Sequence, residues 1–132
     1  MKVLVDTSVW SAALRRGEGQ NHDVKKILAE LIAGNLVQIM GPIRQEILSG
    51  IREDTQFDTL KNHLAAFPDI PITSEDYVTA AQFFNRCRRK GIQGSNTDYL
   101  ICAVAVRNRM QILTMDNDFK EFGKIIPIEL YE

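Results

Sequence analysis

The sequence predicts an α/β domain in which a mostly parallel sheet of four or five strands is flanked by helices. Short β-branched runs alternate with longer segments whose apolar residues recur at three- and four-residue spacing. No repeat or low-complexity tract interrupts this alternation, and 132 residues is the length of one domain. Strands that alternate with helices need crossover connections, which make the sheet parallel. We therefore interpret residues 1–132 as one domain with one core.

The first third of the chain contains two predicted strands. The first strand leads into Asp6, Thr7 and Ser8, a polar cluster of the kind that ends a strand and caps a helix. Later, Gly41-Pro42 marks the start of a helix, because proline suits the first helical position. In order, we expect a strand at 2–5, a helix at 9–15, a loop at 17–21, a helix at 23–33 that stops at Gly34, a strand at 36–40 and a helix from 41.

In the rest of the chain, one apolar run is ambiguous between helix and strand. Residues 99–106 contain no polar break, so periodicity alone cannot assign them. The segment from Ser95 to Asp98 supplies a helix cap and a first-turn acid, so we predict a buried helix that continues to Arg109. Around it we expect helices at 54–67 and 74–90, an extended stretch at 68–72 that can add a short strand, a strand at 110–114, a helix at 116–122 and a last strand at 125–130.

The composition excludes several classes of protein. The chain is 45% hydrophobic and 25% charged, and no segment reaches the roughly eighteen apolar residues of a membrane span. The apolar run at its N-terminus is too short for a signal peptide, so we expect a cytoplasmic protein. Cys87 and Cys102 lack the spacing of a zinc or redox site and should be reduced, packed thiols. His22 and His63 lie in polar helical contexts and receive no catalytic role.

Four acidic residues recur where strands meet helices. Asp6 and Asp116 each follow a predicted strand, and Glu46 and Asp98 each lie in the first turns of a helix. Any one of them is explained by helix capping or by the helix dipole. Their recurrence at four junctions is not, because ligands of open parallel sheets bind beyond the carboxyl ends of the strands. We therefore expect all four at one pole of the sheet.

Clustered carboxylates predict a metal site. They repel one another and need cations or protons to stay buried. Oxygen ligands select magnesium or manganese, and magnesium shares its coordination readily with phosphate. Since the chain also lacks a glycine-rich phosphate loop and a histidine-based catalytic set, the acids point to metal-dependent hydrolysis of a phosphodiester.

The charge balance tests whether the substrate is a nucleic acid. The net charge of −1 argues mildly against it, but setting aside the four candidate site acids leaves 13 acidic against 16 basic residues. Four cations are concentrated in one run, which either contacts phosphates or simply forms the solvated last turn of a helix. These residues are Arg86, Arg88, Arg89 and Lys90.

Four segments taken in order resemble a PIN domain, and the whole chain is similar to toxin ribonucleases of the VapC type. Each segment alone is weak, whereas their order, spacing and strand placement agree along the full length. They are Val5-Asp6-Thr7-Ser8, Gly41-Pro42-Ile43-Arg44-Gln45-Glu46-Ile47-Leu48, Thr97-Asp98-Tyr99-Leu100-Ile101-Cys102-Ala103 and Leu113-Thr114-Met115-Asp116-Asn117-Asp118-Phe119.

The resemblance implies a three-layer sandwich that cleaves RNA with magnesium or manganese. It also implies a homodimer and a small antitoxin that inserts a segment near the active site, with a larger assembly of the two as a further option. Carried over by position, Asp6 and Asp98 correspond to the central metal ligands, Glu46 to the second acid and Asp116 to the fourth, with Asp118 as its competitor. Hydroxyls that commonly line such sites correspond to Thr7, Ser8 and Thr114.

Two further residues have two interpretations each. Arg44 either grips the RNA backbone or forms a surface ion pair. Trp10 either stacks on a base or, as we favour, packs in the core. Cys102 stands where such toxins usually carry alanine, which should alter packing only.

Two alternative functions also remain. The first is a PIN-type module that binds nucleic acid or protein with little catalysis. The second is another metal-dependent phosphodiesterase, such as a phosphatase or DNA nuclease. A phosphatase that forms an aspartyl intermediate would need an Asp-x-Asp pair, and Ser8 occupies its second place.

Overall fold

Three short parallel strands lie at the centre of the structure, a computed structural model that describes residues 1–14 and 22–132. β1 (Val3–Val5) lies between β2 (Val37–Gln38) and β3 (Gln111–Leu113). All three residues of β1 are buried. This burial is typical of a central parallel strand, which helices cover on both faces. The α/β fold with a parallel sheet is confirmed.

Seven helices in the described ranges pack around this sheet. Most of their boundaries agree with the expected ones to within three residues. The helices are α1 (Thr7–Leu14), α2 (His22–Ala33), α3 (Gly41–Leu48), α4 (Asp54–Leu64), α5 (Ser74–Arg89), α6 (Asn96–Arg107) and α7 (Asp118–Phe122). The predicted loop at 17–21 lies outside the described residues.

The outer strands of the predicted sheet are each reduced to a single bridge. Ile39 pairs with Asp69 on one edge and Ile112 with Leu130 on the other, both in parallel. The prediction of a full strand at 125–130 is therefore wrong. Residue 125 is still in a turn, and Pro127 has no N–H to donate to a neighbouring strand. Three regular strands with two bridged edges form the sheet.

The α5–α6 hairpin supplies much of the core. Residues 99–105 of α6 are all buried, which confirms that this apolar run is a central helix. Tyr99 packs against the rings of Phe84 and Phe122, with centroid distances of 5.4 and 4.8 Å. Cys87 and Cys102 are buried free thiols on the two helices, as predicted.

Trp10 is a core residue, which confirms the favoured interpretation. It is 3% exposed, its indole N–H donates to the Val5 carbonyl at 3.2 Å, and its ring lies edge-on to Phe67 at 5.5 Å. A buried indole that has found its hydrogen-bond partner is not available to stack on a base.

Across the described helices, none combines the length and hydropathy that membrane crossing requires.

Candidate active site

Asp6 lies directly beyond the C-terminal end of β1 and is only 6% exposed. Its Oδ1 accepts a hydrogen bond from the Thr7 N–H at 2.8 Å. Its Oδ2 accepts from the Ser8 hydroxyl at 2.9 Å and from the Thr114 hydroxyl at 2.8 Å. A buried charge is thus satisfied by neutral donors, with no cation among these partners.

Ser8 and Thr114 connect the ends of two neighbouring strands. Their hydroxyl oxygens lie 3.3 Å apart, and both donate to Asp6. Each also accepts a backbone N–H from the segment after β3: Ser8 from Met115 and Thr114 from Asp116, both at 3.0 Å. The segment that carries Asp116 is therefore held beside Asp6, across more than a hundred residues of sequence.

Asp98 is placed by a capping box at the start of α6. Its Oδ2 accepts from the Ser95 backbone N–H, and its own N–H donates to the Ser95 hydroxyl, both at 3.1 Å. This reciprocal pair fixes the side-chain direction of the third helical residue. Within the described residues the second oxygen, Oδ1, accepts no hydrogen bond, which leaves it available to a ligand.

The charges of the four acids act on one another. Partial burial raises the pKa of Glu46, and the carboxylates of Asp6 and Asp98 raise it further. Burial likewise raises the pKa of Asp98, opposed by the hydrogen bonds from Ser95 and reinforced by Asp6 and Asp116. Like charges have such effects only when they are close together. The structure therefore brings Asp6, Glu46, Asp98 and Asp116 to the same pole of the sheet.

Thr7 contributes an unpaired hydroxyl to this pole. Its Oγ1 is buried and makes no hydrogen bond of good geometry within the described residues. It is nevertheless close enough to Glu46 to lower the pKa of that carboxyl, against the larger effect of burial. A buried polar atom without a partner is unusual and marks a place for a ligand or water.

Asp118, the competitor of Asp116, begins α7. It is exposed, and its backbone N–H donates to Asp116 Oδ1 at 2.9 Å. Asp116 is half-buried and is one of the charges that raise the pKa of Asp98. The geometry therefore places Asp116 at the acidic pole and Asp118 at its margin.

The donor set suits a hard divalent cation. All the side chains at this pole offer carboxylate or hydroxyl oxygens, and within the described residues no Lys, Arg or His forms an ion pair with the four acids. In the described ranges no three acidic, histidine or cysteine side chains already surround a common ion position. Magnesium keeps several of its waters and contacts one or two carboxylates directly, so it does not require such a cage.

Arg44 forms the ion pair that one of its two interpretations predicts. Its guanidinium pairs with Asp69 at 3.0 Å and donates to the carbonyls of Leu64, at 2.9 Å, and Phe67. All three nitrogens are thereby used to hold the segment after α4 against α3. Three of its five N–H groups are used in this way, so the structure shows the ion pair, and a contact with RNA stays a prediction.

Two structural features were not identified from the sequence. Arg107, at the end of α6, binds the buried Asp76 of α5 at 2.6 and 2.9 Å. An ideal Cβ on Gly94 would lie 2.5 Å from the Phe122 ring, so only glycine fits directly before the Asp98 cap. The Thr73-x-x-Asp76 spacing signals the cap of α5, but no local pattern signals either long-range contact.

Comparison with known proteins identifies relatives of the whole chain. Residues 3–125 match the PIN domain family. The chain is 31% identical over 130 residues to the ribonuclease VapC11 of Mycobacterium tuberculosis and equally to a VapC ribonuclease of Mycobacterium bovis. In both cases the match covers 96% of each chain.

Solved structures share the fold. FitAcB from Neisseria gonorrhoeae aligns with a TM-score of 0.79 at 19% identity, covering 98% of this chain and 96% of the other. VapBC2 from Rickettsia felis, bound to a DNA fragment from its promoter, aligns with a TM-score of 0.77 at 19% identity over 99% and 98%. At these identities the likeness concerns the fold, which agrees with the strand order and helices described above.

Proposed function

Because this chain belongs to the PIN-domain family, we propose that it is a magnesium-dependent endoribonuclease and the toxin of a toxin–antitoxin pair. Manganese is an alternative metal for the same oxygen donors. The proposal extends to a homodimer in the cytoplasm that a small cognate antitoxin neutralises. Its support is the curated relatives, which are named VapC ribonucleases, and the acidic pole described above.

One observation carries the proposal. Burial and the nearby carboxylates raise the pKa of Glu46 and of Asp98 at the end of the sheet, while the neighbours of the buried Asp6 are neutral N–H and hydroxyl donors. An acidic cluster that the protein itself does not neutralise is costly unless a cation binds there. The acidic cluster lies beyond the carboxyl ends of the strands, which is where parallel sheets bind ligands.

Asp6 and Asp98 would hold the metal, with Glu46 and Asp116 completing the acidic set. Such an ion supplies an activated water and positive charge for the phosphate that is attacked. The protein supplies position. The Ser8 and Thr114 hydroxyls both donate to Asp6 Oδ2 and so fix that carboxylate. The Ser95 N–H donates to one oxygen of Asp98, so that the other oxygen stays free.

The direct test is cleavage of single-stranded RNA by the purified protein. We expect cleavage with magnesium and none after chelation. Asp6→Asn and Asp98→Asn should each abolish it, since each removes a charge that holds the metal. Asp58→Asn is the matched control, because Asp58 is an exposed carboxylate of α4 with only a 3.8 Å contact to Lys61. Cleavage that survives either site variant removes that acid from the mechanism, and a single-stranded DNA of the same sequence tests the choice of RNA.

The toxin role is tested by growth. Expression of the chain in bacteria should arrest growth, and co-expression of the product of the neighbouring gene should restore it. The Asp98→Asn variant should be harmless in both conditions. Normal growth with the active chain alone would contradict the toxin role while leaving the nuclease activity intact. Sedimentation of the purified protein tests the homodimer.

A further inference from the structure

Four exposed cations at the end of α5 serve no ion pair within the described residues. We call Arg86, Arg88, Arg89 and Lys90 the α5 basic cluster. Two arginines outside the cluster do form ion pairs. Arg44 pairs with Asp69 and Arg107 pairs with Asp76, and both pairs stabilise the fold. Cations suit the C-terminus of a helix through its dipole, and these four charges remain exposed to a further partner.

Two members of the cluster are held over aromatic rings. The guanidinium carbon of Arg88 lies 5.6 Å from the centroid of Phe84, and that of Arg86 lies 6.0 Å from the centroid of Phe83. Arg86 also donates to the Ile125 carbonyl at 3.2 Å. A guanidinium fixed over a ring keeps its N–H edge free for bidentate contact with an anion such as phosphate.

Two clefts open between these side chains. One of about 440 Å³ is lined by Asn85, Arg88 and Arg89, and one of about 380 Å³ by Gln82, Asn85, Arg86 and Arg89. The lining combines arginine with amide side chains, which are the groups that proteins use for phosphate and sugar contacts. Arg89 borders both clefts, so the two form a continuous surface.

The cluster lies beside the end of α6 that carries the acidic pole. The Phe84 ring beneath Arg88 lies 5.4 Å from the ring of Tyr99, the residue that follows Asp98. The Ile92 N–H donates to the Cys87 carbonyl at 3.0 Å, so the connection from α5 to the Ser95 cap is tight. A polyanion that reaches Asp98 thus has a positive surface next to it, which offsets the repulsion of the acids.

We propose that the α5 basic cluster binds the phosphate backbone of the RNA strand to one side of the bond that is cut. This inference rests on the proposed nuclease function and adds the path of the substrate. Contacts of this type carry no sequence information and fix the register of the strand relative to the metal site. Their affinity depends on salt, because each neutralised phosphate releases counterions.

The experiment compares two double variants in RNA binding without divalent metal, so that no strand is cut. Arg88→Gln with Arg89→Gln removes two charges from the cluster and leaves the structural contact of Arg86 intact. Lys2→Gln with Arg109→Gln removes two exposed charges just before β1 and β3, at the opposite pole from Asp6. Fluorescence anisotropy of a labelled single-stranded RNA is measured between about 50 and 200 mM salt.

Log affinity falls as log salt rises, and each phosphate contact on a single strand contributes about 0.7 to the steepness of that fall. Because the cluster variant lacks two contacts, we expect its fall to be less steep by about 1.4. The control variant should keep the wild-type slope. A DNA strand of the same sequence should show the same loss, because the contact is to phosphate. Urea unfolding of both variants tests the alternative that the cluster only stabilises the helix dipole. That alternative predicts that the cluster variant has a lower urea midpoint and keeps the wild-type salt dependence of RNA binding.

Equal slopes for wild type and the cluster variant would overturn the proposal and leave the cluster for another partner, such as an acidic protein. The nuclease function is judged separately, by cleavage with magnesium. If the wild-type protein cuts RNA but the cluster variant binds RNA as the wild type does, only the proposed path of the strand is contradicted. One that binds through the cluster but never cuts contradicts the nuclease and supports the phosphate contact.

Discussion

Asp76 and Asp98 occupy the same position of two consecutive helices, but their pKa values are shifted in opposite directions. Each is the third helical residue and closes a capping box, with Thr73 and with Ser95. The hydrogen bonds from Arg107 lower the pKa of Asp76, whereas burial and the neighbouring acids raise that of Asp98. One carboxylate is neutralised within the fold, and the other is left for a ligand.

This contrast predicts that substitution of Asp76 lowers stability, whereas substitution of Asp98 lowers RNA cleavage. Asp76→Asn should cost about 2 kcal/mol, because it breaks an ion pair whose acid is buried and whose arginine is partly exposed. Asp98→Asn should change stability by less than about 0.5 kcal/mol, since asparagine can still cap and the repulsion is lost. Urea unfolding and RNA cleavage per folded molecule measure the two effects. Full cleavage by Asp98→Asn, or its loss in folded Asp76→Asn, would contradict this division.

The Asp76 pair also predicts a dependence of stability on pH. The hydrogen bonds from Arg107 hold the folded pKa of Asp76 below the ordinary value of an aspartate. The stabilisation is therefore complete above that value and is lost as the pH falls through the lower folded pKa. Urea midpoints measured from about pH 6 to about pH 3 should fall less steeply in Asp76→Asn than in wild type. Parallel curves for the two proteins would show that the pair does not titrate with folding.

Metal binding should stabilise the fold. At a magnesium concentration of about 100 times the dissociation constant, the gain is about 2.7 kcal/mol for one site. Because Asp98 would hold the metal under the proposed function, Asp98→Asn should lose the shift, whereas Asp76→Asn should retain it. Thermal unfolding at constant ionic strength, with sodium chloride as the salt control, measures the effect. A shift that is equal in all three proteins would indicate screening and not a site at the acidic pole.

Asp116 and Asp118 should differ in activity. Asp116 lies at the acidic pole and receives the Asp118 N–H, while the Asp118 side chain is exposed. We expect Asp116→Asn to lower cleavage by about 10- to 100-fold, the range for residues that support a metal site, and Asp118→Asn to leave it unchanged. Cleavage rates at saturating magnesium measure both. The reverse order would make Asp118 the fourth acid.

Gly94 should be intolerant of any side chain. Its Cβ would lie 2.5 Å from Phe122 and 3.0 Å from Tyr99, two core rings. Gly94→Ala should therefore cost about 1 to 3 kcal/mol, the range for an overpacked core. Gly91→Ala is the comparison for backbone strain without a clash, because Gly91 has a φ of +76° and open space around it. Both are measured by urea unfolding, and an unchanged midpoint for Gly94→Ala would mean that the clash is relieved at no cost.

The site was predictable to the extent that local chemistry determines it. Asp6 follows a β-branched strand and Asp98 follows a serine cap, so their elements could be read directly from the sequence. The parallel sheet then brings both to one pole. Nothing local indicates that Thr114 donates to Asp6 or that Arg107 reaches Asp76, because these contacts join residues 108 and 31 positions apart.

The same limit applies to Arg44 and to the strand predicted at 125–130. Arg44 was left open between RNA and an ion pair, and only the packing of the segment after α4 shows the ion pair with Asp69. The strand at 125–130 was predicted from its apolar residues, but strand pairing depends on which N–H groups face a neighbour. A single bridge at Leu130 satisfies that requirement where a continuous ladder does not form.

The two buried cysteines provide a built-in reporter of local unfolding. Burial raises the pKa of Cys102 well above its usual value, so its thiol should resist alkylation while α6 stays folded. Cys87 faces the same core from α5. The rate at which an alkylating reagent labels each thiol under native conditions therefore gives the free energy of opening of each helix. The helix that carries Asp98 can thus be monitored, with and without metal or RNA, in the unmodified chain.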